Sequence, residues 1–185
     1  YDADLAWLDH ELGKLLAALP ADTLVFVTPD LRIEGTAPPA RVANGVREHA
    51  GIVNGRSINV ALAPRVCRDN MSGMPYPLTA EVVVSGRSFR GCGGEPEALL
   101  LGAEWVVEDI GGTLIDRSRA TLNFGADGRL AGRASCNAFT TSYTLTGESL
   151  TIGATATTTM SCAPSLMEQE RRFLEILQRV RNFDV

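Results

Sequence analysis

Four cysteines restrict the fold of this 185-residue chain more than any other feature; they are Cys67, Cys92, Cys136 and Cys162. Their spacings are 25, 44 and 26 residues, so none of them forms a C-x-x-C pair. Structural zinc sites usually take two closely spaced ligand pairs, and the chain offers only His10 and His49 as further ligands. We therefore expect no metal site. An even number of cysteines at this spacing instead favours disulfides.

Four cysteines allow three disulfide connectivities. The pairing Cys67–Cys92 with Cys136–Cys162 closes two loops of similar length and keeps each bridge within one half of the chain, so we predict this pairing. In the chain-entropy model, each bridge would stabilise its half by roughly 3 kcal/mol. The alternative, four reduced thiols buried in a cytosolic protein, stays open at this point.

The charge and hydropathy of the chain bear on its partners. There are 17 basic and 22 acidic side chains, a net charge of −5, and no basic run that could bind a phosphate backbone, so we expect no nucleic-acid partner. No stretch approaches the ~18 consecutive apolar residues of a transmembrane helix. The chain opens at Tyr1 without a basic-then-apolar leader, which is expected of a mature form or a fragment and leaves room for a lipid anchor upstream.

The spacing of apolar residues predicts one helix at each end of the chain. Over residues 2–19, leucines recur mostly at steps of three and four until Pro20, which is typical of an amphipathic helix. Near the C-terminus, Ser165 and Glu168 form a capping box that predicts the start of a second helix. The apolar face of this second helix carries Leu166, Phe173, Leu177 and Val180.

Short β-rich runs separated by turn residues fill most of the chain between these helices. Asp127-Gly128 is the strongest hairpin signal, and Gly147-Glu148 predicts another turn. Residues 34–51 are interpreted as a loop with one or two weak strands, and residues 67–77 as turns. The predicted strands are 23–28, 57–62, 78–84, 88–90, 105–110, 120–124, 129–134, 143–145 and 150–152.

These elements predict an α+β fold made of two small β-rich units, the second an antiparallel sheet packed by one C-terminal helix. Residues 93–102 carry three glycines and one proline, which suits a hinge between the units. We expect three parts: an N-terminal helix of uncertain affiliation over 1–21, a first β domain over 22–95, and a second domain over 101–185.

Templates for catalysis and cofactor binding are missing from the sequence. There is no G-x-x-x-x-G-K-[ST], H-E-x-x-H or G-x-S-x-G, and Lys14, the chain's one lysine, lies outside any S-x-x-K motif. A Ser-His-Asp site would have to use His10 or His49, and both are expected to be ordinary surface residues. We therefore predict no catalytic residue and no cofactor.

Candidate binding residues lie in the turn-rich stretch that follows Cys67; they are Arg68, Asp69, Met74 and Tyr76. Asp69 beside Arg68 could form a polar binding site, although an acidic residue in this position is more often held in a turn by local hydrogen bonds. A groove lined by Met74, Tyr76, Trp105 or Phe139 would suit a small ligand or an envelope protein. The alternative is that these apolar side chains only pack.

The second half of the chain carries three motifs in a fixed order. They are G-x-x-x-C-N at 132–137, T-x-M-x-C at 158–162 and M-E-x-E at 167–170. With Trp105, Gly111 and the strands between, they resemble the META domain of the HslJ heat-shock protein family. Ser135 stands where that family usually has glycine, and the chain stops at Asp184-Val185, from which we expect a C-terminally truncated domain.

The META resemblance implies a small β-rich envelope protein with no catalytic residue set. Members of this family are linked to stress and to novobiocin resistance, without a settled molecular activity. The resemblance therefore favours a non-enzymatic protein with a stress-response or binding role.

A second resemblance covers roughly residues 56–94. The motif C-x-D-x-M-S-G at 67–73 and the pair Gly91-Cys92 resemble an uncharacterised bacterial envelope module, often found in lipoproteins and commonly joined to META domains. Both resemblances carry their cysteine pairs at the positions paired above. They imply an oxidising compartment, either the periplasm or an outer-membrane anchorage, in a Gram-negative bacterium.

The N-terminal segment gives an alternative function. Residues 1–30 resemble the part of sulfatases and related alkaline-phosphatase-superfamily hydrolases that precedes their metal-binding T-x-D-H-G, but Leu31 and Arg32 replace the His and Gly. Residues 162–166 are similar to the sulfatase nucleophile motif C-x-P-S-R, with Leu166 in place of Arg. The alternative to an envelope protein is thus a fragment of such a hydrolase.

Overall fold

A computed structural model describes residues 23–28, 31–114 and 120–185, so the helix predicted over 2–19 lies outside the described residues. The described chain consists mostly of antiparallel strands with one C-terminal α-helix. It divides into two compact units. The first takes the described residues up to Pro64 together with Ala80–Gly91, and the second takes Arg65–Thr79 and Cys92–Val185. The predicted α+β class, with separate β-rich units and one C-terminal helix on the second sheet, is confirmed.

The strands before residue 94 form three small sheets. β3, β4, β5, β8 and β9 make a five-stranded antiparallel sheet in that order, β1 pairs with β2, and β6 pairs with β7. In chain order, these strands are β1 (Thr23–Thr28), β2 (Leu31–Thr36), β3 (Ala40–Ala43), β4 (Val46–Val53), β5 (Arg56–Ala63), β6 (Cys67–Arg68), β7 (Pro75–Tyr76), β8 (Leu78–Val84) and β9 (Arg87–Gly93).

Two-residue turns build the five-stranded sheet. Asn44-Gly45 joins β3 to β4 and Asn54-Gly55 joins β4 to β5, with positive φ at all four residues. Such turns twist in the same sense as the strands that they connect, and Asn and Gly tolerate the left-handed backbone. The stretch 34–51, predicted as a loop with one or two weak strands, holds β3 and most of β4, and β4 is a full eight-residue strand because the Asn-Gly turns pair it with both neighbours.

The first unit has a small apolar core. Alternate residues of β5, Ile58 and Val60, are buried against Val53 and Val84, as the alternation over 57–62 predicts. Leu62, Val82 and Phe89 pack at its margin.

The second unit contains the larger core and the helix. Its main sheet runs in the order β10, β13, β14, β15, β16, with β17 also paired to β15, while β11 and β12 form a separate hairpin. The elements are a 3-10 helix (Pro96–Leu99), β10 (Glu104–Val106), β11 (Asp109–Ile110), β12 (Thr113–Leu114), β13 (Ala120–Phe124), β14 (Arg129–Ala134), β15 (Ala138–Leu145), β16 (Leu150–Ile152), β17 (Ala156–Thr157) and α1 (Pro164–Leu177).

Helix α1 packs its apolar face on this sheet. The Phe173 ring meets the Phe139 ring edge-on, with centroids 5.6 Å apart, and Leu177 is buried in the same cluster. The predicted turn at Asp127-Gly128 does join β13 to β14. At Gly132, in β14, a Cβ would overlap the carbonyl oxygen of Thr121, so only glycine allows this close strand approach.

The predicted capping box at Ser165 and Glu168 was wrong. The N-cap lies two residues earlier, at Ala163, which makes no side-chain capping bond, and the helix begins at Pro164. Proline suits the first helical position because its missing N–H would have no partner there. Glu168 instead pairs with Arg171 on the exposed face.

Candidate functional site

The three C-terminal motifs meet where the β14–β15 connection faces α1. Asn137 and Glu170 are both buried, with 2% and 7% of their surfaces exposed. The Asn137 backbone N–H donates to Glu170 Oε2 at 2.7 Å, and its side-chain Nδ2 donates to Oε1 at 3.0 Å. Both carboxylate oxygens thus accept hydrogen bonds from a single residue, which fixes the register of α1 against the sheet.

Asn137 also holds the segment that leads into α1. Its Oδ1 accepts from the Thr158 hydroxyl at 2.8 Å and from the Met160 N–H at 2.7 Å. A disulfide between Cys136 and Cys162 closes the same junction, with a Cα–Cα distance of 6.0 Å. The buried polar groups are therefore satisfied, which is what makes burial of a charged carboxylate tolerable. We call the Asn137, Glu170, Thr158 and Cys136–Cys162 cluster the motif junction.

Ser135 completes the motif junction. Its φ is 98°, a backbone conformation that favours glycine. This conformation suits the glycine that the sequence resemblance leads us to expect at this position. The Gln169 amide of α1 donates to its hydroxyl at 2.7 Å. The serine side chain thus makes a contact with α1 that a glycine could not make.

Comparison with known families agrees with this geometry: the family model of the META domain matches residues 98–185, which include the whole motif junction. Residues 98–185 are a META domain. The residues that precede them stay unassigned. No curated protein and no solved structure is significantly similar to the chain.

Tyr143 ties the sheet of the META domain to the 3-10 helix at the start of the domain. This buried tyrosine stacks edge-on against Phe124, and its hydroxyl lies 2.5 Å from Glu97 Oε1 and 2.9 Å from the carbonyl oxygen of Gly125. Burial, and then the Glu97 carboxylate, raise the pKa of Tyr143 above its usual range, so the phenol stays protonated and can donate.

Residues 65–79, which we call the strap, carry the predicted binding residues and fold with the META domain. Asp69 Oδ2 accepts hydrogen bonds from Met71 N–H at 3.1 Å, Ser72 N–H at 2.7 Å and the Ser72 hydroxyl at 2.8 Å. The Ser72 N–H is the main reason why the pKa of Asp69 is lowered. Asp69 therefore holds a local turn, as expected of an aspartate that is followed three residues later by a serine.

The other strap candidates also contact the second unit. Arg68 forms an ion pair with Asp184, and the Tyr76 hydroxyl lies 3.5 Å from the carbonyl oxygen of Gly147. Met74 has no exposed surface. Arg68, Asp69 and Tyr76 thus lie on one segment together with the buried Met74.

The wider groove suggested by the sequence would need exposed apolar side chains. Met74 and Phe139 are buried, and Phe139 packs on Phe173. Trp105 is partly exposed on β10, where its indole N–H donates to the carbonyl oxygen of Leu100 at 3.0 Å. Met74 and Phe139 therefore cannot line an open groove.

We expect Asp69→Ala to destabilise the second unit by about 1 kcal/mol at pH 7, because three donors lose their acceptor. The pKa of Asp69 is lower in the folded state than in the unfolded chain, so its contribution is present above the unfolded pKa of about 4. It is lost as the pH falls through the folded pKa. Urea unfolding of both proteins across pH 2–7 checks this: the two curves should converge in acid, and a constant gap would contradict the assignment.

A small cleft between α1 and the β11–β12 hairpin has a volume of about 170 Å³; its walls are formed by Ile110, Thr113, Ser165, Glu168, Gln169 and Arg172. Its charged groups already have partners. Arg172 Nη2 donates to the Ile110 carbonyl and the Thr113 hydroxyl, and Glu168 is held by Arg171 through both oxygens. Because these groups are engaged, the cleft offers little free hydrogen-bonding capacity to a ligand.

Two features that a sulfatase-like hydrolase would use can be checked in the part of the chain that the structure describes. No group of three or more His, Cys, Asp or Glu residues is placed there to hold a metal ion. Cys162, which begins the segment similar to the sulfatase nucleophile motif, has its sulfur bonded to Cys136.

The disulfides also indicate where the protein works. Cys67 is joined to Cys92 and Cys136 to Cys162, which is the pairing predicted from spacing, and such bridges persist in oxidising, extracytoplasmic environments. Among the described residues, no helix has the length and apolar character needed to cross a bilayer.

Glu170 is a buried structural residue that the sequence predicts only as part of the M-E-x-E motif. The signal was present: Glu170 lies four residues after Leu166 and three before Phe173, so an acidic side chain interrupts the apolar face of the helix. A charge in that position needs a buried partner. The partner, Asn137, is 33 residues away in the chain, and only the fold brings the two together.

Proposed function

We propose that this protein is a non-enzymatic component of the bacterial envelope, periplasmic or anchored to the outer membrane, with a stress-response or binding role of the META type. The observation that carries the proposal is the motif junction. The residues that define the three motifs bind one another: both Glu170 oxygens accept from Asn137, beside the Cys136–Cys162 bridge. Because these motif residues bind one another, they are better suited to stabilising the fold than to binding and converting a substrate.

A scaffold of this kind suits a protein that must persist in the envelope under stress. A disulfide keeps its effect in the absence of ATP-dependent chaperones, because it restricts the unfolded chain. We therefore connect the stress role to stability of the META domain. The link to novobiocin resistance belongs to the same proposal.

The proposal is tested by deleting the gene in its host and measuring survival at heat-shock temperature, novobiocin sensitivity and the distribution of the protein between periplasm and outer membrane. The deletion should increase both sensitivities, and the wild-type gene should restore them. Complementation with Glu170→Ala should be weaker and Glu168→Ala should match wild type. A deletion strain with unchanged heat and novobiocin responses would contradict the stress role.

The hydrolase alternative gives a different result in vitro. It requires turnover of an aryl sulfate or aryl phosphate by the purified protein in the presence of divalent metal ions. We expect none above the rate of a denatured sample. Metal-dependent turnover that copurifies with the protein would favour the hydrolase and remove the non-enzymatic proposal.

A further inference from the structure

Several of the contacts that attach the strap to the rest of the second unit are exposed to water. The Ser72 hydroxyl lies 3.0 Å from the carbonyl oxygen of Gly147, and Tyr76 approaches the same oxygen at 3.5 Å. The Arg68–Asp184 ion pair has both side chains more than half exposed. Exposed hydrogen bonds and ion pairs contribute little in water, so they alone hold the strap weakly.

The fit beneath the strap is nevertheless close. A Cβ on Gly147 would stand 2.6 Å from the Tyr76 hydroxyl oxygen, and a Cβ on Gly94 would stand 2.7 Å from Pro77 Cγ. Met74 and Pro75, between these points, are buried. The strap therefore has one defined position on the second unit, and it covers surface that would be exposed if it left.

A covalent bond reinforces this position. Cys67 lies near the start of the strap, and Cys92 lies six residues before the META domain begins at residue 98. Both cysteines are partly exposed. In the other disulfide, Cys162 is also partly exposed, but Cys136 has only 2% of its surface exposed and is followed by the buried Asn137. A thiol in solution can reach a disulfide at an exposed, weakly held segment more readily than one closed into a buried network.

We propose that Cys67–Cys92 is a reducible latch, a site of thiol–disulfide exchange that releases the strap from the META domain while Cys136–Cys162 stays closed. A thiolate of a dithiol reductant attacks one sulfur, forms a mixed disulfide and expels the other cysteine as a thiolate. The second thiol of the reductant then displaces the protein sulfur. Two electrons pass to the protein, which ends with two thiols, and the reductant ends as a disulfide.

The matching partner is a protein or small molecule that presents two vicinal thiols. The latch goes beyond the proposed envelope role. It gives the protein a closed state with the Cys67–Cys92 bond and an open state without it. In the open state, the surface beneath Met74 and the Gly147 hairpin becomes accessible. In the closed state, the strap covers both.

The experiment uses the full chain, oxidised and folded, with dithiothreitol as the probe. Samples are quenched over time with iodoacetamide, and alkylated cysteines are identified by mass spectrometry. Cys67 and Cys92 should be alkylated about tenfold faster than Cys136 and Cys162. Equal rates for the two pairs, or faster reaction of Cys136–Cys162, would overturn the proposal.

Hydrogen exchange on the partly reduced protein tests the release itself. Amides of the strap and of residues 146–149 should lose protection on reduction, whereas those of residues 135–137 should keep it. Reduction of Cys67–Cys92 without change in strap protection would also overturn the proposal.

Two variants separate latch opening from general unfolding. Cys67→Ala with Cys92→Ala should show the open exchange pattern without reductant. Gly147→Val keeps both disulfides but crowds Tyr76, so it should raise strap exchange and speed reduction of Cys67–Cys92. If Gly147→Val leaves both unchanged, the contact with Gly147 does not hold the strap and the proposal fails.

Discussion

Replacing Glu170 with alanine is expected to lower the free energy of unfolding of the META domain by about 3 kcal/mol. The substitution leaves the buried Asn137 backbone N–H without its Glu170 acceptor, and it leaves Nδ2 with the longer hydrogen bond to the Met160 carbonyl oxygen at 3.4 Å. Each unsatisfied buried donor costs about 1–3 kcal/mol, and the lost side chain also leaves a cavity. Urea unfolding followed by Trp105 fluorescence, in a Trp7→Phe background, measures the change within the second unit.

Glu168 provides the matched control. It lies two residues earlier on α1, is exposed, and pairs with Arg171. Its hydrogen bonds with Arg171 are the main reason why the pKa of Glu168 is lowered, and Arg171 also contacts Glu175. Surface ion pairs of this kind contribute little. Glu168→Ala should leave the urea midpoint unchanged within error. If Glu170→Ala also leaves the urea midpoint unchanged, the buried hydrogen bonds of the motif junction do not stabilise the domain.

Removing the Cys136–Cys162 disulfide by double substitution with alanine is expected to cost about 3 kcal/mol of stability. The bridge closes a loop with a sequence separation of 26, so it restricts the unfolded chain substantially. Its loss also frees the segment whose Met160 N–H binds Asn137. Non-reducing urea unfolding of the double variant measures the loss against the wild type.

Cys67→Ala with Cys92→Ala is the comparison for this experiment. Its loop has a sequence separation of 25, so chain entropy alone predicts nearly the same loss for both pairs. A larger loss for the Cys136–Cys162 pair measures the contribution of the buried network beside it. An unchanged midpoint after removal of Cys136–Cys162 would contradict the stabilising role given to this bridge.

The elements that the sequence predicts well are those whose signals are local. The Asp127-Gly128 turn follows from residue chemistry that favours a hairpin, and the face of α1 that carries Phe173 and Leu177 follows from helical periodicity. The disulfide pairing follows from spacing, because this connectivity closes two loops of similar length and keeps each bridge within one half of the chain. Over residues 34–51 the sequence predicts one or two weak strands but not the length of β4, which depends on the Asn-Gly turns at 44–45 and 54–55.

The site depended on contacts that no local pattern contains. Glu170 meets Asn137 across 33 residues, and Ser72 meets Gly147 across 75. Asp69 could be read as a turn residue from its sequence, but the place where its turn docks depends on the tertiary fold. Residues 65–79 lie within the bounds expected for the first β domain and group with the second unit. Long-range packing determines the unit to which such a segment belongs, and composition and periodicity carry no information on long-range packing.

Two disulfides, Cys67–Cys92 and Cys136–Cys162, indicate that this META domain protein works in an oxidising compartment. The direct measurement is mass spectrometry of the protein isolated from the cells that make it, after alkylation in denaturant without reductant. We expect no alkylated cysteine and two disulfide-linked peptide pairs, one containing Cys67 and Cys92 and the other Cys136 and Cys162. Four alkylated thiols, or links between the two pairs, would contradict it.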